Sequence, residues 1–243
     1  MTLTRCIDLM LASGTSSNMI KYKDVVSEIS VMTKVSSEIP FLWRLSPESG
    51  DGYCSVALVV SSTSLSAEFK DVTIETDILS LSSGDSCSTN EEVLEWNQED
   101  IALFMALINR NKVHELKDKP GTLKIDLTDP DVIEIIHIVA AAGFGTAYTS
   151  GGLLGDSSGL TLLGNCEIGA IASLHTVSGF VCCVVVDLED DDVICVLLND
   201  ISTSKPGFFD QIHRHDLLLV NRGDLLIPEF ADDYERPQDS ALH

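Results

Sequence analysis

The chain has 243 residues, 44% hydrophobic and only 6% aromatic, and its 38 acidic residues outnumber 15 basic ones to give a formal net charge of -23. This composition indicates a globular protein with an aliphatic core. It argues against nucleic-acid binding and against binding to anionic membranes, because so negative a surface repels phosphate groups. The excess of acids is concentrated in residues 125–243, which contain 20 acids and four bases. With nucleic acids and anionic membranes disfavoured, we expect partners that are proteins.

The first 88 residues predict a β-rich segment with one helix. Apolar residues three and four apart in Lys21–Ser36 are typical of an amphipathic helix. Strands are predicted at Thr4–Leu11, Phe41–Leu45, Tyr53–Ser61 and Phe69–Leu79. The Ser-rich stretch Ser80–Asn90 predicts a loop that ends the segment.

Two helices are predicted early in the next segment, 89–228. Thr89 or Asn90 is suited to cap the first, and Glu91, Glu92 and Glu95 would then lie at its positive N-terminal end. The second is predicted by Thr128-Asp129-Pro130, a capping side chain followed by proline at the first helical position. Gly143 is a residue at which this helix can end.

The rest of this segment predicts an antiparallel sheet. Phe180–Leu188 and Val193–Leu198 are apolar runs joined by four acids, which indicates a hairpin buried on both faces. Asp216–Val220 and Asp224–Ile227 predict a second hairpin. Residues 168–186 lack formal charge, but the break at Ser178-Gly179 and the absence of flanking Lys or Arg favour two buried strands over a membrane span.

Together these elements predict an α+β, mainly β fold: an antiparallel sandwich or jelly-roll-like sheet with two to three packed helices. Segments 1–88 and 89–228 are expected to form one continuous domain, followed by an acidic tail at 229–243. The seven cysteines are odd in number and scattered, and no signal peptide is recognisable at the start. These features predict a reducing, cytoplasmic location.

The joining acids form the first candidate site. Asp187, Glu189, Asp190, Asp191 and Asp192 place five carboxylates in six positions. A bound calcium ion would relieve their mutual repulsion. The alternative is a solvated hairpin tip that keeps an apolar hairpin soluble.

His213 and His215 form the second candidate site. Two imidazoles one residue apart lie on one face of a strand and can bind a divalent metal. With the later Gly-Asp and Pro228, the passage resembles a cupin, whose metal site uses His-x-His. A cupin also requires a Glu three or four residues later, where this chain has Leu218 and Leu219. The metal hypothesis therefore rests on the two histidines and not on membership of that family.

The segment Gly155–Gly159, Gly-Asp-Ser-Ser-Gly, resembles the nucleophile segment of trypsin-like serine proteases. That fold needs its general-base histidine about a hundred residues earlier, and the first histidine here is His114. A barrel does not fit in the interval, so the protease reading fails. A Cys166–His175 pair and a phosphate loop at the glycines after residue 143 are weaker alternatives, the latter because no base lies between Lys124 and Lys205.

With no convergent polar constellation, the sequence predicts a non-catalytic structural or assembly protein that requires no cofactor. A self-associating subunit of a shell or spike is expected, including an outer-layer viral protein that does not contact the genome. One alternative is a metal-dependent or hydrolytic enzyme using His213, His215 or His175. Another is an acidic regulatory module that docks on a basic protein.

Overall fold

The computed structural model describes residues 32–35, 41–48, 52–60, 72–81, 91–111, 123–202 and 211–228. Over these residues the chain is rich in strands and contains two α-helices, which confirms the α+β, mainly β class. Neither helix in this described part has the length and apolar character needed to span a membrane. The sandwich or jelly-roll arrangement stays a prediction.

The chain divides into two compact units, unit 1 (Met1–His137) and unit 2 (Ile138–His243). Unit 1 therefore includes the first part of the predicted 89–228 segment. The strand predicted at Thr4–Leu11 and the tail at 229–243 lie outside the described residues. So does most of the helix predicted at Lys21–Ser36, but its last turn is wrong, because Met32–Val35 forms strand β1.

Unit 1 contains a four-stranded antiparallel sheet in the order β4-β3-β2-β5. Three consecutive strands pair as hairpins and β5 returns beside the first of them, which is the Greek-key order. The strands predicted near residues 41, 53 and 69 are confirmed. The sheet strands are β2 (Phe41–Pro47), β3 (Tyr53–Val60), β4 (Val72–Leu81) and β5 (Glu92–Glu95); β1 pairs separately with β6 (Leu123–Asp126).

Helix α1 (Gln98–Asn111) begins later than the sequence predicts. Two of the acids expected in its first turn, Glu92 and Glu95, instead lie in β5, where Glu95 pairs with Leu42. The true cap is a reciprocal pair: the Asp100 N–H donates to Asn97 Oδ1 at 2.8 Å, and the Asn97 N–H donates to Asp100 Oδ2 at 3.1 Å. The predicted start at Thr89 or Asn90 is wrong because this capping box lies seven residues further on.

An aromatic cluster joins α1 to the sheet. Trp43 stacks on Trp96 with ring centroids 5.0 Å apart, and Phe41 and Phe104 meet Trp96 edge to face. The Trp43 Nε1–H donates to Asp100 Oδ2 at 3.1 Å. One carboxylate therefore caps the helix and also satisfies the polar atom of a buried indole.

The buried carboxylate predicts a pH-dependent stability. Burial raises the pKa of Asp100 above its ordinary value of 3.8. The folded state therefore binds the proton of the Asp100 carboxyl more tightly than the unfolded state does. This binding contributes folding stability that is fully present below about pH 3.8 and is lost as the pH rises through the folded pKa. In Asp100→Asn this pH-dependent loss of stability should vanish. The melting temperature of the variant minus that of wild type should therefore be larger at pH 7 than at pH 3. Glu95→Gln, which removes an exposed charge, is the control; equal pH profiles for wild type and Asp100→Asn would contradict the prediction.

Helix α2 (Pro130–Phe144) begins where the sequence predicts. The Asp131 N–H donates to Asp129 Oδ1 at 2.9 Å, and the Ile133 N–H donates to the Asp129 carbonyl at 3.0 Å. Asp129 is thus the cap, and Pro130 occupies the first position, where no backbone donor is needed. The boundary between the units falls within this helix.

Unit 2 is built on a six-stranded mixed sheet in the order β14-β8-β9-β10-β13-β7. Its strands are β7 (Ala147–Thr149), β8 (Ile171–Thr176), β9 (Gly179–Glu189), β10 (Asp192–Leu197), β13 (Leu217–Asn221) and β14 (Leu225–Leu226). Two short strands, β11 (Ile201–Ser202) and β12 (Gln211–Ile212), pair with each other.

The predicted acidic hairpin is confirmed, and so are the two strands that break at Ser178-Gly179. Residues Val181–Val186 of β9 are all buried, so both faces of that strand are covered. The second predicted hairpin is wrong: β13 pairs with β10 and β7, whereas β14 pairs with β8. Only the 3-10 turn Arg222–Asp224 links β13 to β14, although three strands lie between them in the sheet. The sheet must therefore curl strongly, because three linking residues do not cross about 19 Å of flat sheet.

Candidate interaction surface

Unit 2 distributes its charges very unevenly along the chain. Between Ile138 and Val186 the only formally charged side chains are Asp156 and Glu167. The acids of the described remainder begin at Asp187 and continue through the β9–β10 hairpin tip. A long uncharged stretch in so acidic a protein would be unremarkable if it were all buried, so its exposure decides its meaning.

Much of this stretch is exposed. Leu162, Ile168 and Val177 expose 50%, 44% and 52% of their surface. Small and hydroxyl-bearing residues are exposed around them: Gly143, Gly145, Thr146, Ala147, Thr149, Gly151, Gly152, Ser158, Gly159, Thr161, Gly164, Asn165 and Ser178. We call these residues, together with the three aliphatic ones, the uncharged surface. An exposed surface that combines aliphatic and small polar side chains without charge is suited to contact protein.

Strand β7 contributes Ala147 and Thr149 to the uncharged surface and, among the described strands, lies at one edge of the sheet. Leu162 pairs with Leu226 of β14, at the other end of the strand order. Strand β7 runs parallel to β13, with Tyr148 opposite Leu218, and the Ser150 N–H donates to the Leu219 carbonyl at 3.2 Å. Because backbone groups alternate in direction along a strand, Tyr148 and Ser150 direct theirs toward β13. Ala147 and Thr149, both exposed, direct theirs away from the sheet. The Tyr148 side chain packs against the core.

Gly145 allows β7 to reach this position. Its N–H donates to the Ala141 carbonyl at 2.8 Å, at the end of α2. A Cβ at this residue would lie 2.6 Å from that carbonyl oxygen and 2.8 Å from Leu217 Cδ1. The chain can therefore turn from α2 into β7 and pair beside Leu217 only if residue 145 has no side chain.

The acidic hairpin tip forms the opposite kind of surface. Asp190 adopts a φ of 51°, a left-handed conformation that the tight turn requires. Arg222 holds the backbone of the tip: its guanidinium donates to the Asp190 carbonyl at 3.1 Å, and its N–H donates to the Asp191 carbonyl at 2.9 Å. The guanidinium bond goes to a peptide oxygen, so the tip presents its carboxylates to solvent.

The five acids proposed for calcium lie together at this tip but do not converge. In the described part of the chain, no three of Asp187, Glu189, Asp190, Asp191 and Asp192 bring one oxygen each within 4.8 Å of one another. Binding would need their side chains to move inward. Calcium at the hairpin stays a prediction.

His213 and His215 do not lie on a strand, so the predicted placement of the two imidazoles is wrong. They lie in a tight turn before β13, where the His213 N–H donates to Asp216 Oδ2 at 2.7 Å and His215 adopts a φ of 69°. Their side chains therefore do not share a strand face. The His213 imidazole instead approaches Asp200, with Nδ1 3.9 Å from Oδ1, and both groups are exposed. Asp200 was missed because its proximity arises from a turn contact: the Arg214 N–H also donates to it.

His175 lies beside the protease-like segment Gly155–Gly159. Its ring stacks on Phe180 with centroids 4.8 Å apart, and its Nδ1 lies 2.8 Å from the Asp156 carbonyl oxygen. Ser158 donates both its hydroxyl and its N–H to Asp156 Oδ1, and these bonds hold the pKa of Asp156 below its ordinary value. Within this described segment, however, no hydrogen bond joins Ser157 to His175. The imidazole here supports the loop.

The two remaining candidates, Cys166 and the glycines after residue 143, also lie in surroundings that do not suit the chemistry considered for them. Burial raises the pKa of the Cys166 thiol, which disfavours the reactive thiolate. Gly143 lies in the last turn of α2 and Gly145 leads from that helix into a strand, the reverse of the strand-to-helix order of a phosphate loop.

Comparison with models of known protein families gives no match. Comparison with curated protein sequences finds no similar protein either. The most informative feature of the chain for its function is the uncharged surface. The sequence shows the charge gap but not which of its residues are exposed.

Proposed function

We propose that this protein is a non-catalytic assembly subunit that associates with copies of itself through the uncharged surface of unit 2. The observation that carries the proposal is the exposure of Leu162, Ile168 and Val177 in a stretch with only two charged residues. Shells and spikes built from β-rich subunits, including the outer layers of viruses, are assemblies of this kind.

Electrostatics favour this surface over others for self-association. Two copies that each carry a formal charge of -23 repel one another, so contact is least costly where neither copy presents charge. Unit 1 also has exposed apolar residues, but acids lie within two positions of them: Val93 lies between Glu92 and Glu95 on β5, and Leu79 follows Asp77 on β4. In the uncharged surface this holds only for Ile168, which follows the exposed Glu167, and not for Leu162 or Val177. Val93 and Leu79 are therefore less suited to pack against an equally charged copy.

The five described cysteines all carry free thiols, and three of them are buried in the unit 2 sheet. This supports a reducing, cytoplasmic setting, because the sheet and its packing account for the fold of these residues without disulfides.

A second function is favoured by the hairpin tip, which presents clustered carboxylates that are suited to dock on a basic protein. The two functions differ in how they respond to salt. Screening weakens attraction between acidic and basic surfaces but strengthens self-association of like-charged copies.

Light scattering coupled to size-exclusion chromatography tests the proposal on the full chain. We expect a defined oligomer whose proportion rises between 50 mM and 500 mM NaCl. The matched variants are Val177→Asp, which should weaken the oligomer by placing charge on the uncharged surface, and Leu79→Asp in unit 1, which should not. A monomer at every salt and protein concentration would overturn the assembly function, and salt-sensitive retention of a monomer by a polylysine column would favour the docking module.

A further inference from the structure

We infer that β7 is the pairing edge of the assembly, and that the strand it accepts is β7 of a second copy. This inference rests on the proposed self-association and specifies its geometry. Ala147 and Thr149 are exposed, direct their backbone groups away from β13, and lie in the uncharged surface. An edge strand in this state offers the N–H and C=O groups that another strand needs.

The absence of charge selects a second copy as the occupant. From Ile138 to Gly155 the chain carries no acidic or basic side chain, so two copies of this edge can approach without repulsion between their nearest residues. A basic partner would gain nothing from charge here and would be drawn instead to the acidic hairpin tip. β7 therefore fits an identical edge better than a cationic peptide.

The alternation along β7 also limits the register, because within this strand Ala147 and Thr149 direct their backbone groups outward. Two identical strands related by a twofold axis pair antiparallel. If Tyr148 lies opposite Tyr148 of the second copy, then Ala147 lies opposite Thr149 of the second copy, and these outward-facing residues exchange both of their backbone hydrogen bonds. The tyrosines then form the close, non-hydrogen-bonded pair, with Cα atoms about 4.5 Å apart. The two six-stranded sheets would become one continuous sheet.

Two kinds of variant test this pairing. Ala147→Pro removes an N–H that does not bond to β13, and Thr149→Asp places a charge opposite Ala147 of the second copy, next to the centre of the pair. Each should weaken self-association at least tenfold, measured by sedimentation velocity in 500 mM NaCl on the full chain. Circular dichroism verifies folding, and Leu79→Asp, which adds the same charge at an exposed residue of unit 1, should associate like wild type.

The outcomes separate this inference from the function on which it rests. A wild-type oligomer that dissociates in both β7 variants but not in Leu79→Asp supports both. If wild type and folded Thr149→Asp associate equally, β7 pairing is wrong and assembly uses another part of the uncharged surface. A wild type that is monomeric throughout overturns the assembly function, and β7 pairing with it.

Discussion

Replacement of Trp43 by alanine should lower the free energy of unfolding of unit 1 by about 3–5 kcal/mol, the cost typical of large-to-small substitutions in a core. The side chain is only 1% exposed and stacks on Trp96. Its loss would leave a cavity at the centre of the aromatic cluster and remove the indole donor from Asp100. Urea unfolding followed by the fluorescence of Trp96 measures the change.

Trp43→Phe separates the two contributions. It keeps an aromatic ring in place and removes the N–H, so we expect a loss of about 1–3 kcal/mol from the less well satisfied carboxylate. If Trp43→Ala costs less than Trp43→Phe, or if both are neutral, the aromatic cluster is not the centre of unit 1.

Gly145→Ala should destabilise unit 2 by about 1–3 kcal/mol, because the added methyl group overpacks a tight site. The new Cβ would lie 2.6 Å from the Ala141 carbonyl oxygen. That oxygen belongs to the helix backbone and accepts the Gly145 N–H, so it cannot move away without loss of the bond. Relaxation must shift β7 away from Leu217, which should also weaken self-association. Urea unfolding followed by circular dichroism, together with sedimentation velocity, measures both effects.

Gly151→Ala is the matched control, because a Cβ there meets nothing within 4 Å. It should be neutral or slightly stabilising, since alanine restricts the unfolded chain. Equal stabilities of the two variants would show that the turn from α2 into β7 does not require glycine.

The sequence predicts those elements whose signals are local. The Thr128-Asp129-Pro130 start of α2 and the β9–β10 hairpin need only neighbouring residues: a cap with proline, and apolar runs around a polar turn. The start of α1 was misplaced because the acids of β5 imitate a first helical turn. Their pairing with β2, about fifty residues earlier in the chain, decides their structure.

The second predicted hairpin failed for a related reason. Asn221-Arg222-Gly223 is a turn, as its composition indicates, but a turn alone does not say which strands it joins. β13 and β14 have partners toward opposite ends of the strand order, and only the curl of that sheet makes the short link between them feasible. The same long-range effect removed His213 and His215 from a common strand face and brought Asp200 to His213.

The candidate surface could be anticipated only in part. Absence of charge over residues 138–155 is plain in the sequence, but a buried strand and an exposed edge give the same pattern. The position of β7 as the last strand beside β13 decides between them, and it depends on the contact of Gly145 with Leu217. Pairings this distant in sequence leave little local signal.

The distribution of chromophores and thiols gives each unit its own reporter. Both tryptophans of the chain, Trp43 and Trp96, lie in unit 1, so tryptophan fluorescence follows that unit alone. Cys182, Cys183 and Cys195 are buried in unit 2, where a maleimide reaches them only after the sheet opens. Tryptophan emission, and alkylation of these three thiols identified by peptide mass, would reveal along one denaturant series whether the halves of this molecule melt together or in turn.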